Sequence, residues 1–120
     1  MKGKCSEINQ IRRTDNIRIY NILRDLGLKC SIKGTTLMNK AIQFVIISSE
    51  DFILIDNIYE EVAKYYKDIN AMQVKSYIKY ALKNRDEEKC KKNFYNVFGF
   101  EYDKYIFTNK NIIEEIARII

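Results

Sequence analysis

Residues 57–83 read NIYEEVAKYYKDINAMQVKSYIKYALK, and their spacing predicts two helices joined by a short polar turn. In the second, Val74, Ile78, Ala81 and Leu82 recur at i, i+4, i+7 and i+8, the stripe that a helix turns inward. Lys75, Lys79 and Lys83 stack at intervals of four on the solvated side, with Met72, Gln73 and Ser76 beside them. No carboxylate interrupts this face. An isolated lysine row is an ordinary solvated surface. On the second helix of a helix-turn-helix it suits phosphates and base edges, which points to double-stranded DNA as the partner.

Beyond this pair the chain has few breaks, since proline is absent and glycine stands only at 3, 27, 34 and 99. Residues 1–13 are polar and predict a flexible basic arm, with Arg12 and Arg13 as candidates for a minor-groove contact. Asp15 is placed to cap a helix with Ile19, Ile22, Leu23 and Leu26 inward, which Gly27 ends. Residues 28–34 turn the chain, and Thr35 or Thr36 opens a second helix with Leu37, Ala41, Ile42, Val45 and Ile46 inward. A polar break at 48–51 precedes a third helical region over about 51–66, kinked near Asp56-Asn57, with Ile55, Ile58, Tyr59, Val62 and Tyr66 toward the core.

After the lysine helix, Asp86-Glu87-Glu88 favour a helix start that buries Cys90, Phe94, Val97 and Phe98 and stops at Gly99. Residues 100–107, FEYDKYIF, alternate weakly and predict an extended loop or a short strand. Thr108 caps a last helix with Ile112, Ile113, Ile116, Ile119 and Ile120 on one side. The expected architecture is all-α, about six helices over residues 14–120 with an embedded helix-turn-helix.

Length and composition narrow the class. At 120 residues the chain has room for one core, and a hydrophobic fraction of 47% is ordinary for a globular domain. No apolar run exceeds that of Phe44–Ile47, far short of the roughly 18 residues of a membrane span. Residues 1–13 lack the hydrophobic stretch of a secretory signal. Cys5, Cys30 and Cys90 are odd in number and lack metal-type spacing, which reads as reduced thiols in a cytosolic protein. Histidine and a glycine-rich phosphate loop are both absent, which argues against an enzyme, a cofactor or a small-molecule substrate. Glu60-Glu61 and Glu87-Glu88 point about 100° apart on a helix and cannot converge on one substrate. The tyrosines at 59, 65, 66, 77 and 80 read as core and boundary residues, with Tyr77 at the edge of the lysine face.

The net charge of +5 is unevenly spread. It is +6 over residues 1–40, −4 over 41–70, +4 over 71–92 and −1 over 93–120. Positive charge at the amino end and on the lysine helix favours a polyanion.

With the helices placed, the chain resembles the DNA-binding effector domain of the sporulation-initiation response regulator, the stage zero sporulation protein A family. The matching stretches are Ile32-Lys33-Gly34 with Leu37 and Lys40-Ala41-Ile42; Ile58-Tyr59 with Val62-Ala63-Lys64; Val74 with Ile78 and Ala81-Leu82; Phe98-Gly99-Phe100; and Thr108-Asn109. They span about residues 14–120 and do not include the receiver domain that precedes this domain in the family. The resemblance implies a six-helix domain that reads short DNA boxes in the major groove as tandem copies. It also places Lys33 in the turn before the second helix, and Met72, Gln73, Lys75, Ser76 and Lys79 toward DNA. The family has arginine at the positions of Gln73, Ser76 and Lys79 and glutamate at that of Lys75, and its turn near 68–70 is one residue shorter. The family's base preference therefore does not transfer.

Two readings follow. The first is a transcription regulator that binds duplex DNA through Lys33, Met72, Gln73, Lys75, Ser76, Lys79 and Lys83, and that pairs or assembles in tandem through Ile116, Ile119 and Ile120. The second is a protein–protein module or antagonist that keeps the fold and has lost specific reading. The altered residues at 73, 75 and 76 are compatible with both.

Overall fold

Leu37, Met38, Ala41, Ile42 and Phe44 are all fully or almost fully enclosed, and they share one helix with the buried polar residues Asn39 and Gln43. A helix buried around most of its circumference sits at the centre of a small domain. The computed structural model describes residues 13–48 and 54–120. Six α-helices fill them: α1 (Arg13–Asp25), α2 (Lys33–Ile47), α3 (Ile55–Tyr66), α4 (Ala71–Lys83), α5 (Glu87–Phe98) and α6 (Asn109–Ile119). A 3-10 turn occupies Lys104–Ile106, and no strand occurs among the described residues. The central helix is α2, which packs against α1, α3, α4 and α6, while α5 lies on α1.

Buried amides need partners, and these have them. The Asn39 side-chain amide donates to Asn16 Oδ1 at 3.0 Å. Gln43 Nε2 reaches the same oxygen at 3.3 Å. Together they fix the rotation of α1 on α2. The far end of α1 is closed by a Schellman motif. Leu28 N–H donates to the Leu23 carbonyl and Gly27 N–H to that of Arg24, both at 2.9 Å. Gly27 holds φ +88°, and its carbonyl accepts from Asp86 N–H at 2.8 Å, tying α1 to the start of α5.

The loop after α5 is an aromatic plug. Phe94 is enclosed, with the rings of Phe98, Phe100, Tyr102 and Phe107 centred 4.9, 5.4, 5.3 and 5.9 Å away. The Arg85 guanidinium lies 4.0 Å above Phe107 and donates to the Leu82 carbonyl at 2.9 Å, closing the end of α4. Burial pushes the Cys90 thiol up beneath this plug. Packing of rings, not strand pairing, therefore orders residues 100–107.

Several boundaries differ from the sequence reading. Arg13 is already helical, whereas the rest of the expected arm, residues 1–12, lies outside the described residues, and Asp15 lies in the first turn of α1, not at its cap. Arg12 lies outside the described residues, as does the 49–53 part of the third helical region. From Ile55 that helix runs unbroken through Asp56-Asn57 to Tyr66. The start of α2 is at Lys33, because Ile32 takes the cap position and the Thr35 hydroxyl turns back to the Lys29 carbonyl at 2.8 Å.

Lys67 closes α3 in the left-handed region at φ +71°, where glycine is at ease and a Cβ is strained. Lys67→Gly is expected to raise stability by about 0.5–1 kcal/mol, read as a higher urea midpoint at unchanged slope.

Candidate nucleic-acid interface

Helices α3 and α4 are joined by residues 67–70, a turn of the length that a helix-turn-helix uses. Asn70 starts α4 with a reciprocal capping box: Gln73 N–H donates to Asn70 Oδ1 at 2.8 Å, and Asn70 N–H donates to Gln73 Oε1 at 2.9 Å. Val74, Ile78 and Ala81 of α4 are fully buried and Leu82 nearly so. Burial of a Val, Ile or Leu side chain contributes about 1.5–3 kcal/mol, so α4 is fixed to the core by its inner face.

At about 100° per residue, Met72, Ser76 and Lys83 lie opposite the buried stripe, with Lys75 and Lys79 on one flank and Gln73, Tyr77 and Tyr80 on the other. Met72 is 76% exposed and Tyr80 57%. Lys75, Lys79 and Lys83 are exposed and form no ion pair among the described residues. Cations elsewhere do pair: Lys110 with Glu114 at 3.2 Å and Arg118 with Glu115 at 3.0 Å. The lysine row therefore presents its charge to solvent.

The lysine flank opens into a groove of about 530 Å³ lined by Tyr59, Lys75, Lys79, Lys83, Thr108 and Asn109, among others. On the opposite flank Lys33, in the first turn of α2, places its ammonium 5.2 Å from the centre of the Tyr77 ring. Gly34 lets the two backbones meet there, since a Cβ on it would land on the Tyr77 carbonyl. Lys33 is thus a helix residue beside α4 and not part of a preceding turn, which corrects its sequence placement.

The fold brings Met72, Gln73, Lys75, Ser76, Lys79, Lys83 and Lys33 around one helix. It does not bring the isoleucines there. They sit at the other end of α6, where the Arg18 guanidinium donates to the Ile119 and Ile120 carbonyls at 3.4 and 3.5 Å. Ile116 is fully enclosed and is core, so it cannot offer a self-association surface; Ile119 and Ile120 are half-buried.

Sequence reasoning missed two residues. Asn70 was legible, because Asn followed three positions later by Gln is a capping-box pattern. Asn109 was legible only as a family match. Its side-chain amide donates both to the Tyr59 hydroxyl at 3.0 Å and to the Lys75 carbonyl at 3.1 Å, contacts remote in sequence.

Residues 19–120 match the family described as Sporulation initiation factor Spo0A C terminal. The chain belongs to this family. No curated protein and no solved structure matches it. The family match runs from within α1 to the last residue and so includes the whole α3–α4 unit. As a Spo0A C-terminal domain the chain is a DNA-binding effector domain of transcription regulation and sporulation, and the family is not a catalytic one. No described helix is long and apolar enough to cross a membrane.

Proposed function

We propose that this Spo0A C-terminal domain regulates transcription by reading a specific duplex site, with α4 in the major groove. The observation that carries this reading is the carboxylate-free lysine row, without an ion pair among the described residues, beside open Met72 and Ser76 on the second helix of a helix-turn-helix. Lys33, Lys79 and Lys83 neutralise phosphates, while Met72, Lys75 and Ser76 meet base edges. Lysine at 75 suits guanine O6 or N7, and Ser76 accommodates several bases. Gln73 is constrained by its cap. A bidentate pair with adenine uses both amide atoms, and Gln73 Oε1 already accepts from Asn70 N–H, so adenine must take that oxygen's second lone pair or displace the cap.

Selection of bound sites from a random duplex pool tests this reading. A regulator that reads bases enriches one motif, and positions facing Lys75 and Ser76 lose their preference in the corresponding alanine variants. A pool that stays random sinks base reading and favours the protein–protein module.

The same reading includes pairing of neighbouring copies through the α6 end at Ile119 and Ile120, where apolar side chains remain half-exposed beyond the enclosed Ile116. Adjacent sites on DNA raise the effective concentration of two copies. Ile119→Lys is expected to lower cooperativity on paired sites by about fivefold, equivalent to about 1 kcal/mol, with unchanged circular dichroism. Cooperativity equal to that of the native protein would reduce these isoleucines to packing residues.

A further inference from the structure

We infer that Asn109, outside the helix-turn-helix, is a positioning residue that sets how α4 presents its reading face. This inference rests on the reading of α4 as a base-contacting helix. The geometry is a three-way bracket. One amide nitrogen at the first turn of α6 donates to the Tyr59 hydroxyl on α3 and to the backbone carbonyl of Lys75 on α4, at 3.0 and 3.1 Å. Both helices of the helix-turn-helix are thereby held to a third. Tyr59 is almost fully buried, so its ring is a fixed anchor. Thr108 holds the start of α6 by accepting from Asn111 N–H at 3.2 Å, which fixes the Asn109 backbone. The carbonyl gripped on α4 belongs to Lys75, between the outward residues Met72 and Ser76 and one turn before Lys79.

This position matters unequally for the two kinds of DNA contact. Lysine ammoniums ride on flexible four-carbon stems and follow a phosphate through small displacements of the helix. Hydrogen bonds to base edges tolerate about 0.5 Å. Loosening the bracket therefore erodes discrimination between sequences before it erodes general affinity. A residue with a purely structural role would weaken both together, through the folded fraction.

The test compares Asn109→Leu and Tyr59→Phe with the native protein on its selected site and on random duplex, alongside circular dichroism and urea midpoints. Asn109→Leu is expected to lower the ratio of specific to random affinity by about tenfold while random affinity stays within about twofold. Tyr59→Phe removes one acceptor and is expected to lower the ratio by about threefold. Because it breaks a bond Asn109→Leu has already lost, it should add nothing in the double variant. If Asn109→Leu does not fold, Tyr59→Phe carries the comparison alone. Ratios equal to the native value, or specific and random affinities falling in parallel, overturn the inference while leaving base reading by α4 intact. A native protein with no selected site removes both.

Discussion

Replacing Lys75, Lys79 and Lys83 together by alanine is expected to lower affinity for random duplex DNA by about a hundredfold to a thousandfold near 0.1 M salt. On random duplex Lys75 has no cognate base to meet and joins Lys79 and Lys83 at phosphates, and each ammonium there releases condensed counterion, so three lost contacts flatten the slope of log affinity against log salt by about 2.7. The three side chains are exposed and form no ion pair among the described residues, so their removal breaks nothing in the fold. Alanine is also the best helix former, and α4 should be at least as helical in the variant. Anisotropy titrations across a salt series, with circular dichroism as control, check this. A slope equal to the native one would show that the lysine row is only a solvated face.

The second large effect concerns Gly34. Its backbone is ordinary helix, so its need is for space and not for a special dihedral angle. A Cβ there would fall on the Tyr77 carbonyl and 2.9 Å from the Ala81 Cβ, both fixed parts of α4. Neither is the end of a flexible chain, so α2 and α4 must separate. Gly34→Val is expected to cost about 3 kcal/mol or more, a fall in Tm of roughly 10 °C for a domain of this size. DNA binding should fall further than the stability loss explains, because Lys33 and Tyr77 meet across the same contact. Gly99→Ala is the control. Its Cβ meets nothing within 4 Å, so only the strain at φ +81° remains, about 1 kcal/mol. Equal losses in the two variants would contradict the close-approach account.

Where local chemistry decides the outcome, the sequence was legible. The α4 stripe is the period of a buried helix face, and the buried set Val74, Ile78, Ala81 and Leu82 follows it. Gly27, Gly99, Asp86 and Thr108 end or start helices through bonds made within a few residues. Thr35 misled because a threonine before an apolar run reads as a cap, whereas its hydroxyl is drawn to the Lys29 carbonyl from inside the helix. The segment 100–107 showed weak alternation because its aromatic residues gather around Phe94, a contact that no local period encodes. Ile116 fell on the same stripe as Ile119 and Ile120, and only the packing of α6 against α2 separates the enclosed residue from the half-exposed ones. At the interface the lysines were visible from spacing, but the capped state of Gln73 and the bracket at Asn109 required three-dimensional contacts.

The central claim is that α4 both holds phosphates and reads bases. Fluorescence-anisotropy titration of the native protein against random duplex and against its selected site, each at two salt concentrations, tests both halves at once. With Lys33, Lys75, Lys79 and Lys83 engaged, log affinity for random duplex should fall against log salt with a slope of about −3 to −4, and the selected site should bind at least about a thousandfold tighter. Affinity that does not change with salt, absence of binding at micromolar protein, or equal affinity for the two duplexes would contradict the account.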